Sequence, residues 1–292
     1  MKAAETFRSG KTHRNENFPV ASRLIEARYR APVLAFYQFV RVADDVADHP
    51  SLPASARLEL LDTMEADLLG RGDVNIQATA LRDVLDERGL SPQHALDLLQ
   101  AFRLDVTKSR YADWRELMQY CELSAMPVGR FVLDVHGESR VTWPQSDALC
   151  AALQIINHLQ DCSADFRIND RVYLPASALA AHGVELRDLA GNSSSPALRR
   201  CITDLALRTE ALLHEGRALA GAVSNPRLGA EIAVIIALAN RLVRRLCERD
   251  PLCDEMHLLR GHAAAIGMFA AIGHFIRHFR RPSDDAISAQ RP

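Results

Sequence analysis

Apolar residues recur at three- and four-residue spacing along almost the whole chain, and this period limits what the chain can fold into. Residues 20–48, 54–69, 78–88, 92–107, 113–135, 145–168, 197–220, 228–248 and 262–279 each carry an apolar stripe of helical period. No stretch alternates with period two; Val172-Tyr173-Leu174 is too short for a strand and is closed by Pro175. Helices with one apolar stripe each must bury those stripes against one another, so the expected class is all-α. Ser91-Pro92 supplies a cap followed by proline in the first turn, and Trp143-Pro144 opens the helix that continues from Gln145. Proline and glycine punctuate residues 50–53, 70–72, 89–92, 137–144, 175–196 and 225–226. The polar run 182–196 is flanked by strong helices with no shift in composition, so residues 1–280 read as one domain. Residues 281–292, RPSDDAISAQRP, read as a disordered tail.

Several classes drop out on composition. A formal net charge of -2 and a pI near 6.6 give no basic field for nucleic acid. The six cysteines show no CxxC pairing and no tight cluster, so zinc is not expected and reduced thiols are. The opening MKAAETFRSGKTHRNENFP has no apolar core of a signal peptide. Segments 232–239 and 263–273 fall short of the ~20 residues that span a bilayer. A cytoplasmic protein is expected. Segment 262–281 reads mainly as a core helix; its end, with Arg277, Arg280 and Arg281, is the place for peripheral contact with anionic lipid on the inner face of the membrane.

Two helices carry oxygen ligands where a core face would be apolar. With Tyr37 as origin and each residue turning about 100°, Arg41 falls near 40°, Asp44 near −20° and Asp48 near 20°, with Asp45 at the edge of the stripe. Leu34, Phe36, Phe39, Val40, Val42 and Val46 surround this row, so much of the helix should be buried. Carboxylates at i and i+4 repel, and buried ones need compensation, for which a hard cation such as Mg²⁺ is suited. In the second helix, with Gln154 as origin, Asn157 lies at about −60°, Asp161 at about −20° and Asp165 at about 20°. One such acidic face is more often solvated. Two in one helical chain are placed to oppose each other across a cavity and hold Mg²⁺ ions around a diphosphate.

Other polar residues lie nearby. Arg171 either reaches a diphosphate oxygen or pairs with Asp165 or Asp170, and Tyr173 is placed to aim its hydroxyl into the cavity. In YCELSAMPVG, residues 120–129, the internal Pro127 and small residues should kink or unwind a helix, lining a cavity or packing closely at Ser124, Ala125 and Gly129. Asp134 reads as ion-paired, and His158 as a satisfied core histidine beside the second stripe.

DDVAD at 44–48, QIINHLQDCSAD at 154–165 and RVYLP at 171–175 resemble the squalene/phytoene synthase family over roughly residues 15–280. ENFPVAS at 16–22, with NHLQD and DRVYLP, is similar to its hydroxysqualene-forming branch in bacterial hopanoid synthesis. The resemblance implies an isoprenoid-synthase-type helical bundle around a deep apolar channel. Asp44, Asp45, Asp48, Asp161 and Asp165 match the residues that bind Mg²⁺–diphosphate. Arg41 matches a diphosphate-contacting arginine, Gln154 and Asn157 match pocket polar residues, and Tyr37, Tyr120 and Tyr173 match cavity tyrosines, with Tyr120 counted among the catalytic groups. The implied substrate is presqualene diphosphate, handed over by a presqualene diphosphate synthase, and NADPH is not expected.

Two departures stand out. Members that condense two farnesyl diphosphates carry Arg where this chain has Gln160, and a YxxxVAGxVG-like stretch where it has YCELSAMPVG. The first is expected to weaken a second phosphate contact and favour a substrate with one diphosphate. The alternatives are a presqualene diphosphate, squalene or phytoene synthase, and a non-catalytic helical assembly factor.

Overall fold

A computed structural model of the protein describes residues 24–279; ENFPVAS at 16–22, Arg280, Arg281 and the 281–292 tail lie outside the described residues. Twelve α-helices follow in chain order: α1 (Ala27–Ala47), α2 (Ala54–Leu68), α3 (Ile76–Arg88), α4 (Gln93–Thr107), α5 (Trp114–Ser124), α6 (Met126–His136), α7 (Trp143–Asn169), α8 (Ala176–His182), α9 (Pro196–Gly216), α10 (Leu219–Ala222), α11 (Pro226–Glu248) and α12 (Arg260–Phe279). Among the described residues the only β-type pairing is an isolated parallel bridge between Arg110 and Val172. The all-α expectation holds.

Local chemistry sets the helix ends. The side chains of Asn75, Asp113, Ser195 and Asn225 cap α3, α5, α9 and α11 by accepting first-turn backbone N–H groups. Segment 113–135, expected as one kinked helix, is two: α5 stops at Ser124, Ala125 leaves helical geometry, and α6 starts with Pro127 in its first turn. The short α8 lies in the stretch expected to be loop; at seven residues it is too brief for a periodic signal.

The buried apolar side chains form two clusters. One joins α1 to α4 with Phe131 and Val135 of α6; the other is built mainly on α5, α7, α9 and α11. Helices α4 and α6 contribute to both. Close approach of α6 to α7 depends on Gly129, where an added Cβ would press on the Ser146 Oγ and Cys150 Sγ atoms. Gly129→Ala should therefore lower stability by about 1–3 kcal/mol, read as a lower urea midpoint at unchanged slope.

Helix α12 departs from expectation. It packs chiefly against α11 and touches α10. Its Met268, Phe269, Ile272 and Ile276 are 55%, 71%, 50% and 46% exposed, so it is not a core helix. Among the described residues no helix is long and apolar enough to cross a membrane.

Candidate active site

Both aspartate rows line one cavity of about 430 Å³. From α1 come Tyr37, Val40, Arg41 and Asp44, with Asp48 at its C-terminal cap; from α7 come Gln154, Asn157, His158, Asp161 and Asp165. Leu98, Phe102 and Asp105 of α4, Tyr120 and Ser124 of α5, and Val128 of α6 complete the walls with Arg171 and Tyr173. The lining is mixed in polarity, with Val40, Leu98, Phe102 and Val128 as its apolar part.

The segment after α7 is aimed by an unusual turn. Asp170 adopts a left-handed conformation, φ 50°, ending the helix, and its carboxylate accepts from Arg110 Nη2 at 2.6 Å. The chain then reverses so that Arg171 Nη1 donates to Asp48 Oδ1 at 2.6 Å, tying the end of α7 to the end of α1. Of the two partners expected for Arg171 besides diphosphate, neither is taken; Asp48 is.

Asp105, which no sequence motif marked, organises the centre. Its carboxylate accepts from the Tyr120 hydroxyl at 2.8 Å and the Tyr173 hydroxyl at 2.8 Å, and its backbone carbonyl accepts from Arg171 Nε at 3.1 Å. Burial raises its carboxyl to about 6, opposed by the nearby Arg171 guanidinium. Burial and the Asp105 charge hold both phenols above their ordinary range, so they remain neutral donors. A single aspartate at the end of an ordinary amphipathic helix gives no pattern to detect; only the tyrosines from elsewhere in the chain reveal it.

The acidic rows are poorly compensated. Burial and then Asp48 raise Asp44 to about 7, although Arg41 Nη1 donates to it at 2.9 Å. Burial and then Asp161 raise Asp165 to about 7. His158 supplies no counter-charge: burial, then Arg171, lowers it to about 3. It is a neutral ring stacked on Tyr173 with centroids 3.6 Å apart, and Gln154 Nε2 lies 3.1 Å from its Nε2. The 4.0 Å approach of His158 Nδ1 to Asp165 is therefore a dipolar contact, not an ion pair. The cavity thus sets five aspartates against two arginines.

The squalene/phytoene synthase family model matches residues 11–263. The chain belongs to the squalene/phytoene synthase family. It is 58% identical over 258 residues to a hydroxysqualene synthase of Rhodopseudomonas palustris, covering 88% of each chain. It is 53% identical over 251 residues to a hydroxysqualene synthase of Sinorhizobium fredii, covering 86% of each. Among solved structures it resembles squalene synthase HpnC from Alicyclobacillus acidocaldarius, with a TM-score of 0.68 and 30% identity over 78% of this chain and 88% of that one. These likenesses agree with the isoprenoid-synthase fold expected of the family.

Two family-derived expectations meet a different geometry. Asp45 does not line the cavity; its side chain is 7% exposed and accepts from Arg41 Nη2 at 2.9 Å. Its place at the edge of the helical stripe accounts for this. Gln160 sits about 120° round α7 from Gln154. It is buried and donates from Nε2 to the Met256 carbonyl at 3.3 Å, outside the cavity lining. The expectation that its neutral side chain weakens a phosphate contact is corrected: here Gln160 is a packing residue held against Met256. The remaining candidates Tyr37, Arg41, Asp44, Asp48, Tyr120, Gln154, Asn157, Asp161, Asp165, Arg171 and Tyr173 all line the one cavity. Asp134 instead pairs with His94 Nε2 at 3.0 Å.

Proposed function

We propose that the chain is a hydroxysqualene-forming synthase that ionises presqualene diphosphate and lets water capture the carbocation, releasing diphosphate. The observation that carries the reading is the excess of aspartate over arginine in one cavity, five against two, with Asp44, Asp105 and Asp165 half-buried. A diphosphate anion is repelled by five carboxylates unless divalent cations bridge the two. The donor set fits Mg²⁺: all oxygen, in two i,i+4 pairs, with the Asp44 and Asp165 carboxyls raised by burial and then by the paired aspartate of each row. Among the described residues no three ligating side chains form a closed cage, and Mg²⁺ needs none, since it takes one or two carboxylates with waters and substrate phosphates. Asp44, Asp48, Asp161 and Asp165 would hold it, and bound Mg²⁺ would neutralise the departing diphosphate.

The chain's own groups do the rest. Arg41 and Arg171 face the leaving group and stabilise its charge as it develops. Val40, Leu98, Phe102 and Val128 give the hydrocarbon cation no nucleophile. The Tyr120 and Tyr173 hydroxyls, their protons committed to Asp105, turn oxygen lone pairs toward the remaining space and favour positive charge there. Ser124 Oγ, at the break between α5 and α6, makes no hydrogen bond within the protein and is the group to hold the capturing water. Overall, presqualene diphosphate and water give hydroxysqualene and diphosphate, without a change of oxidation state that would call for NADPH. The substrate would come from an enzyme joining two farnesyl diphosphates. Such lipophilic molecules partition into lipid, which favours peripheral contact with a membrane.

The test is incubation with Mg²⁺ and presqualene diphosphate in H₂¹⁸O without reductant. An alcohol carrying ¹⁸O is expected, and farnesyl diphosphate alone should remain unconsumed. Consumption of farnesyl diphosphate would move the chain to a condensing role, and an alcohol without ¹⁸O would remove the water-capture step.

A further inference from the structure

His158 lines the catalytic cavity as a buried, neutral ring that the ionisation step leaves idle. Three groups hold it. Tyr173 stacks on it with centroids 3.6 Å apart, the Asp165 carboxylate lies 4.0 Å from its Nδ1, and the Gln154 amide nitrogen lies 3.1 Å from its Nε2. These neighbours set the tautomer. The carboxylate draws the ring proton to Nδ1, which leaves Nε2 with a lone pair and nothing to donate. Nε2 therefore accepts from Gln154, and the amide is fixed with its nitrogen toward the ring and its oxygen away from it.

That oxygen is the part of Gln154 the fold does not use. Oε1 accepts no hydrogen bond among the described residues, and Gln154 is half-buried in the cavity wall, so the oxygen is open to whatever enters. With a rise of 1.5 Å per residue, Gln154 sits about 10 Å along α7 from Asp161, the nearest aspartate of its row. A carbonyl oxygen there repels diphosphate and attracts a hydrogen-bond donor. Of the reactants in the proposed reaction only water is such a donor. Ser124 Oγ gives a water in this cavity one polar partner. An ordered water takes about three, so a second acceptor is wanted.

We propose that Gln154 Oε1 orients the water that captures the carbocation, and that His158 is the positioning residue that keeps this oxygen turned into the cavity. One O–H of the water donates to Oε1, which directs an oxygen lone pair at the cation. The C–O bond forms from that pair. One proton of the resulting oxonium passes to the departing diphosphate, giving the alcohol and hydrogen diphosphate, and nothing is oxidised or reduced. His158 keeps its proton on Nδ1 throughout. With the water-capture reaction as its premise, this arrangement decides between alcohol and elimination: a cation that meets no oriented water loses a proton from carbon instead.

The measurement is a single turnover of the full chain with Mg²⁺ and presqualene diphosphate in H₂¹⁸O, scoring ¹⁸O-alcohol against elimination hydrocarbons. Gln154→Met keeps the length of the side chain and removes the oxygen. The ratio of alcohol to hydrocarbon should fall at least about tenfold, as for a reactant held out of line. His158→Phe keeps a ring against Tyr173 and removes the acceptor, so the freed amide should lower the same ratio about threefold or more at an unaltered melting temperature. This second variant leaves Gln154 in place and carries the test if Gln154→Met does not fold. An unchanged ratio in Gln154→Met, at any rate of diphosphate release, overturns the inference, because the residue then serves binding, ionisation or the metal. A ratio that falls in Gln154→Met and holds in His158→Phe overturns the positioning role of His158. A parent that yields no alcohol takes down the reaction and this inference with it. Alcohol from the parent with unchanged ratios in both variants takes down the inference alone.

Discussion

Asp44→Asn and Asp161→Asn should each lower turnover of presqualene diphosphate by at least about a hundredfold, the scale of losing one strong transition-state electrostatic contact. The two positions share neither a helix nor a core cluster, yet both line the one cavity. Folding should survive. The Asp44 carboxyl is raised to about 7 by burial and by Asp48, so its charge is costly in the folded protein and a neutral isostere removes that cost. The melting temperature of Asp44→Asn should equal or exceed that of the parent. Adding Mg²⁺ with inorganic diphosphate should raise the parent's melting temperature and leave that of either variant nearly unmoved. Full activity in both variants would remove the metal–diphosphate assignment.

Asp105→Asn should cost on the order of tenfold to a hundredfold in kcat, as misplacement of groups around a reacting centre does. The carboxylate accepts two phenol protons; an amide can accept one and must donate to the other, so Tyr120 or Tyr173 has to reverse its hydroxyl. Asp105 therefore acts as a positioning residue. The effect should fall on kcat and on the ratio of alcohol to elimination products, with KM little changed. A merely structural role would instead show as a lower melting temperature with an unaltered product ratio, and that outcome would sink the assignment.

The stripe arithmetic explains what the sequence could convey. A rotation of about 100° per residue put Tyr37, Arg41, Asp44 and Asp48 on one line with Asp45 at its edge, and the cavity takes the first four and leaves out the last. The same arithmetic placed Gln154, Asn157, Asp161 and Asp165 together, and it sets Gln160 about 100° round α7 from the middle of that row. Reading Gln160 by its place in a motif rather than by its angle is what misdirected that expectation. Asp105, and the pairing of Arg171 with Asp48, depend on tertiary contacts across 15 to 123 residues of chain and leave no local period. The exposed side of α12 was hidden for another reason: an apolar helical period marks a helix face, not whether the rest of the chain covers it.

The two apolar clusters meet at the cavity, and the polar contacts there give the site a second office. Asp48 to Arg171, the Asp105 carbonyl to Arg171, and the Asp105 carboxylate to Tyr120 and Tyr173 all run between the α1–α4 half and the segments built on α5 and α7. Helices α2 and α3 contribute no cavity residue, so apart from shared packing on α4 and α6 their link to α7 passes through these groups. Cooperativity of unfolding is thereby concentrated in the residues proposed for chemistry. A ligand that engages Asp48, Asp105 and Arg171 together tightens the seam between the halves, and a substitution that loosens them lets the α2–α3 corner exchange its amide protons independently of the larger core.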